Sequence, residues 1–201
     1  MTIDLGGNKL TRGNTHLFNA ISHSATNTTT VITIINGTLS ADLLKSDGKS
    51  TSAAICFNND SKSTSTDTYI FNLNGITLDV SSGRGLIHSY NDGTDTSRVN
   101  ATVNYNDCTV YRGSKTGDLY LFVLDDAANR NDITINVNGG TLETEKTLDG
   151  IRLVSYGTNG ADKLVFGKGE NGKYLTVIAP KSASISSLAG TFTTADGVDS
   201  V

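Results

Sequence analysis

The feature that most constrains this chain is a phrase that returns. Ile35-Asn36-Gly37-Thr38-Leu39, Leu73-Asn74-Gly75-Ile76-Thr77-Leu78, Tyr105-Asn106-Asp107-Cys108-Thr109-Val110 and Val137-Asn138-Gly139-Gly140-Thr141-Leu142 align on their Asn and on their closing apolar residue, the first being one residue shorter. Leu5-Gly6-Gly7-Asn8-Lys9-Leu10 keeps the spacing without Asn or Thr at the matching places, and Glu170-Asn171-Gly172-Lys173-Tyr174-Leu175 is more degenerate still. The closing residues Leu10, Leu39, Leu78, Val110, Leu142 and Leu175 follow one another at 29, 39, 32, 32 and 33 residues. A nearly constant period with insertions is what stacked repeats produce, because each repeat buries its apolar side against its neighbours and loops grow outward without disturbing the stack.

Within each period the apolar residues alternate with polar ones before the Asn: Val31, Thr33, Ile35; Tyr69, Phe71, Leu73; Ala101, Val103, Tyr105; Ile133, Ile135, Val137. A period of two predicts strands with one buried face, and these residues are the expected inward set. A second apolar run follows the closing residue after a polar turn: Leu17-Phe18, Ile55-Cys56-Phe57, Leu86-Ile87-His88, Leu119 to Leu124 and Ile151 to Val154. Three short strands per period, without a helical 3.6-residue pattern, exclude bundles and α/β folds. A sandwich would not put the same turn residues at the same phase of every period, and propeller blades are longer and four-stranded. The expected fold is all-β: a single-stranded parallel β-helix, a solenoid of about six coils and on the order of 25 to 30 Å long.

A thin core of this kind suits the composition. Only 36% of residues are apolar, there is one Pro and no Trp, and such a chain fills a narrow column rather than a thick globule. The net charge of −4 and the scattered basic residues give no footprint for nucleic acid. No apolar run approaches the ~20 residues that span a bilayer, so no membrane insertion of this segment is expected. Met1 leads at once into strand-like sequence with no signal peptide. Either the protein is cytosolic or the chain is an excised fragment, and a solenoid that begins and ends in mid-pattern favours the fragment: one domain, 1–201, of a larger protein whose neighbouring coils or domains it contacts, with 179–201 as the last coil or the start of a linker. Cys56 and Cys108 fall at different places around the period, which argues for two small buried hydrophobes rather than a disulfide.

Stacking would set Asn36, Asn74, Asn106 and Asn138 above one another at about 4.8 Å, where their amides bond along the column as an Asn ladder. Asn also tolerates the left-handed backbone of a tight corner, and the following Gly removes the Cβ clash. Thr38, Thr77, Thr109 and Thr141 would form a second column. The outward column beside the ladder is expected to read Asp4, Ile34, Asn72, Asn104, Asn136.

The recurring phrase resembles the pectin-lyase-like, right-handed β-helix superfamily, and within it the repeat regions of bacterial surface proteins and autotransporter-like adhesins. The resemblance extends over residues 2 to about 175. It implies a right-handed coil, a secreted or cell-surface location, and a polysaccharide or a host surface protein as partner. Polygalacturonase-like members carry Asn-x-Asp, Asp-Asp, Gly-His-Gly and Arg-x-Lys on successive coils, since hydrolysis needs two placed carboxylates and cations for the uronate. Here Asp125-Asp126 matches the second by letter only and reads as a solvated turn pair; His16, His23 and His88 lack flanking glycines, and there is no Arg-x-Lys. Lyase-like members gather Asp and Glu around Ca²⁺, whereas the outward column has too few carboxylates.

Asn91-Asp92-Gly93-Thr94-Asp95 offers oxygen ligands for Ca²⁺ through Asn91, Asp92 and Asp95, but it lacks the closing bidentate Glu and reads first as a structural turn, with a Ca²⁺ site as the lesser alternative. No other cofactor is suggested. Arg152 beside Tyr156, or Lys173 beside Tyr174, is a pairing that stacks on a sugar. The Thr column invites an ice-binding reading, but the outward positions are too mixed for a flat hydroxyl array. The expectation is a non-catalytic structural or adhesive module binding glycans or host matrix through its longest polar insertions, 45–52, 58–68 and 91–97. The alternative is a polysaccharide lyase or glycoside hydrolase using Asp125 and Asp126.

Overall fold

The computed structural model describes residues 1–11, 17–22, 27–40, 54–59, 66–79, 86–91, 98–112, 120–126, 132–144, 152–156, 163–178 and 192–194. These residues are all-β, and every strand pairing among them is parallel. Sheet A holds β1 (Thr2–Asp4), β4 (Thr29–Ile35), β7 (Thr66–Asn74), β10 (Arg98–Asn106), β13 (Asp132–Asn138), β16 (Lys163–Gly167) and β18 (Phe192–Thr194) in that order. Sheet B orders β2 (Lys9–Thr11), β5 (Thr38–Ser40), β8 (Thr77–Asp79), β11 (Thr109–Arg112), β14 (Thr141–Thr144) and β17 (Thr176–Ile178). Sheet C orders β3 (Phe18–Ser22), β6 (Ile55–Asn59), β9 (Ile87–Asn91), β12 (Tyr120–Asp126) and β15 (Arg152–Tyr156).

The chain therefore visits A, B and C in rotation. One pass through them is called a round below, so that β1–β3 are round one and β16–β17 round six. Seven strands at about 4.8 Å give sheet A a span of roughly 29 Å.

The registers follow the period read from the sequence. Leu10, Leu39, Leu78, Val110 and Leu142 form one column, as do Thr38, Thr77, Thr109 and Thr141, which Thr176 extends. Phe18, Ile55, Ile87, Phe122 and Val154 form the matching column of sheet C. The apolar column of sheet B ends at Val177, not at Leu175 as the degenerate phrase suggested.

A larger correction concerns β4. Its buried residues are Ile32 and Ile34, while Val31 is exposed, the reverse of the expected inward set. The reason lies at the corner joining sheets A and B. Counting back from the Thr column, Ile35, Asn74, Asn106 and Asn138 pair with one another, and the next position is left-handed in rounds two to five: Asn36 (φ 57), Gly75 (φ 59), Asp107 (φ 49) and Gly139 (φ 66). Asn, Asp and Gly are the residues that adopt this backbone at least cost, and a left-handed residue at a fixed place turns the chain from one sheet into the next. In round two the Asn does the turning, so β4 slides by one residue and presents its other face. At Gly140 an added Cβ would run into the carbonyl of Cys108, so the fifth corner closes only with glycine there.

Side chains from all three sheets meet in a single core. Phe71, from sheet A, meets the rings of Phe18 and Phe57, from sheet C, edge-on at 5.8 and 6.0 Å. Each edge-to-face pair adds about 0.5–1.5 kcal/mol to area burial. Leu39, Leu78, Val110 and Leu142 reach the same core from sheet B.

Candidate functional site

The outer face of sheet A carries two runs of amides. Asn138 Nδ2 donates to Asn106 Oδ1, and Asn106 Nδ2 to Asn74 Oδ1, both at 2.8 Å. Two residues back on the same strands, Asn136 Nδ2 donates to Asn104 Oδ1 at 2.7 Å and Asn104 Nδ2 to Asn72 Oδ1 at 2.8 Å. All four bonds run from a later round to an earlier one, so each ladder is a polarised chain whose members strengthen one another. Two residues of strand separate the ladders by about 6.6 Å.

Asn36 stands outside the first ladder. Ile35 takes the place beside Asn74, and Asn36, one residue on, donates to Asp4 Oδ1 at 3.2 Å. The second column also differs from its expected reading, because Thr33, not the buried Ile34, pairs with Asn72, while Asp4 pairs with Ile35. Asn72 Nδ2 reaches Thr33 Oγ1 at 3.5 Å. The second ladder was visible in the sequence as Asn72, Asn104 and Asn136, but it was read there only as a shortage of carboxylates.

An open groove of about 680 Å³ runs beside the first ladder. Ile35 and Asn36 stand at one end, Asn74, Asn106 and Asn138 along it, and residues 168–170 at the other. The loop after β16 is tied to this corner by Asp107, whose Oδ2 accepts the backbone N–H of Glu170 at 2.9 Å. Gly139 lies between them, and a Cβ there would meet both Asp107 and Gly169. The same loop sets Lys168 over the Tyr174 ring at 5.2 Å, so Lys168 rather than the adjacent Lys173 makes the cation–π contact.

Two buried polar groups lie nearby. Cys108 Sγ donates to the Leu73 carbonyl at 3.2 Å, and burial pushes its thiol up to about 12, against the opposing pull of backbone hydrogen bonds. Cys56 and Cys108 are both free and buried. Burial, with a smaller effect of Cys108, raises the Tyr105 hydroxyl well above its ordinary value. Asp67 is an acid the sequence reading assigned to a polar insertion. It sits at an inward position opposite Val99 and accepts the Thr28 N–H at 2.9 Å and the Thr28 hydroxyl at 2.8 Å. Its partner lies 39 residues away, the same step as from Leu39 to Leu78, so the period sets the two side by side, although the sequence reading counts Asp67 as part of an insertion.

The sequence-derived candidates for catalysis fall in sheet C. Asp125 and Asp126 close β12 as strand residues rather than a turn, opposite Tyr90 and Asn91 of β9. Asn91, the first residue of the Ca²⁺ candidate, is thus the neighbour of Asp126 across the pairing, while Asp92 and Asp95 lie outside the described residues. So do the insertion 45–52 and most of 58–68 and 91–97. Compared with protein-family models, with curated proteins and with solved structures, the chain matches none. The functional reading therefore stands on the amides and the groove.

Proposed function

We propose that this chain is a right-handed parallel β-helix serving as a non-catalytic structural and adhesive module of a secreted or cell-surface protein, with glycans or host matrix as its partners. The coiling rests on the rotation through three parallel sheets and on the recurrent left-handed corner; the hand is the one that parallel crossovers favour. The functional part rests on one observation. The outward amides of consecutive rounds spend their hydrogen bonds on each other along the stack, a repetitive, uncharged arrangement that stiffens a rod and presents a regular polar surface. Catalysis needs the opposite, a few dissimilar groups converging on one point.

Glycan arrays and immobilised matrix proteins test this reading. Retention of the chain on at least one of them, without new reducing ends or unsaturated uronate absorbance from acidic polysaccharides, is the expected result. Turnover that disappears in Asp125→Asn or Asp126→Asn would replace the module with a lyase or hydrolase.

A further inference from the structure

The corner groove has a definite shape and a definite chemistry. It extends from round two to round six, four strand spacings or about 19 Å. An extended chain lying along it meets each ladder amide in turn.

The ladder decides what kind of chain. A primary amide has two N–H donors and an oxygen with two lone pairs. At Asn106 the ladder uses one donor, toward Asn74, and one lone pair, toward Asn138. One donor and one acceptor remain there, while at about 4.8 Å to either side Asn74, which only accepts, keeps both donors and one lone pair, and Asn138, which only donates, keeps one donor and both lone pairs. A group that donates and accepts at once is its complement, and a hydroxyl does both. An extended peptide would instead need an open strand edge or alternating side-chain pockets, and here the lining is side-chain amide on paired interior strands. The ionisable lining is Asp107 and Glu170 against Lys168, net negative, which repels uronates and sulfated sugars.

We propose that this groove binds a single neutral glycan chain lengthwise, its hydroxyls bonded to the amides of Asn74, Asn106 and Asn138. The inference rests on the adhesive reading above and narrows its ligand. The test uses the full chain and calorimetric titration with cellohexaose, xylohexaose and hexagalacturonate, each beside its trimer. The deciding variant is Gly75→Asn: this position has the same left-handed backbone as Asn36, and a Cβ there meets nothing within 4 Å, so the new side chain enters the groove without touching the fold.

The expected result is binding of a neutral hexasaccharide that is stronger than that of its trimer. Gly75→Asn should weaken it by about tenfold or more with only a small drop in melting temperature, because Asn adopts the left-handed backbone at slight cost. Tighter binding of hexagalacturonate, or of an extended peptide, would overturn the proposal. Neutral-glycan binding untouched by Gly75→Asn would overturn the site while leaving the adhesive reading in place. Retention on matrix proteins with no response to any glycan would do the same, whereas silence toward both would remove the adhesive reading itself.

Discussion

In β10 the inward residues Val99, Ala101, Val103 and Tyr105 are all buried, whereas in round one Ile3 is only partly covered and Leu10, in the same column as the buried Leu39, keeps 39% of its surface. The pairing geometry is the same in both regions. The difference is that a round in the middle is covered on two sides and β1 and β2 are covered on one. Burial here is a property of the interface between rounds more than of the round itself, which is how stacked repeats distribute their stability. The polar surface follows suit: between rounds three and five amide bonds to amide, while in round one Asp4 and in round two Asn36 and Thr33 stand in for the missing ladder members.

The largest test of this contrast is in the core. Phe71→Ala removes a fully buried ring that touches Phe18 and Phe57, and should cost about 3–5 kcal/mol in urea unfolding. Leu10→Ala removes a side chain already well exposed and should cost under about 1.5 kcal/mol. Equal losses would mean that the first round is as tightly sealed as the third.

Alkali sharpens the same comparison, because the corner of round four holds a sealed thiol. The Cys108 thiol ionises near 9.0 in the unfolded chain and near 12 when folded, so between those values the unfolded state binds fewer protons than the native one. Stability from this group is fully present below pH ~9 and falls by up to about 1.4 kcal/mol per pH unit as the pH rises toward 12. Tyr105, raised in the same direction, adds to the fall above its ordinary value of 10.0. Cys108→Ala should flatten the alkaline limb measured by urea midpoints at successive pH values. The substitution suits the position, which elsewhere holds Gly37, Ile76 and Gly140. An unchanged slope would show that water reaches the thiol in the native state.

Much of the architecture was legible in the letters and some was not, for one physical reason. The Thr-Leu column, the apolar run of sheet C and the period itself fix which residues meet, and the registers agree with them. They are legible because packing demands the same kind of side chain in every round. The corner is different, because it makes two demands on neighbouring positions, a ladder amide in extended backbone and a left-handed residue after it, and Asn satisfies either. Aligning Asn36 with Asn74 therefore matched residues doing different jobs and turned β4 over. Asp67 and the groove went unread for another reason: Asp67 falls in a stretch read as a polar insertion although the 39-residue step sets it beside Thr28, and the groove is closed by residues 168–170, which lead into the most degenerate copy of the phrase.

That double meaning of Asn yields the smallest and sharpest effect, obtained by making one replacement at two sites. Asn106→Gly deletes a donor to Asn74 and an acceptor for Asn138 and puts glycine at the last paired position of β10. The cost should be about 2 kcal/mol, from two partly exposed hydrogen bonds and the added backbone freedom. Asn36→Gly deletes one 3.2 Å bond to an exposed Asp4, but it relieves a left-handed backbone that glycine adopts freely, so the two terms oppose and the change should stay within about 0.5 kcal/mol. Replacing each with Leu separates the causes: Asn36→Leu forces a bulky side chain into the left-handed region, at about 1–2 kcal/mol, whereas Asn106→Leu keeps extended backbone and loses only the amide. Identical responses at the two positions in urea midpoints would mean that Asn36 belongs to the ladder after all, and that β4 presents the face its alternation first suggested.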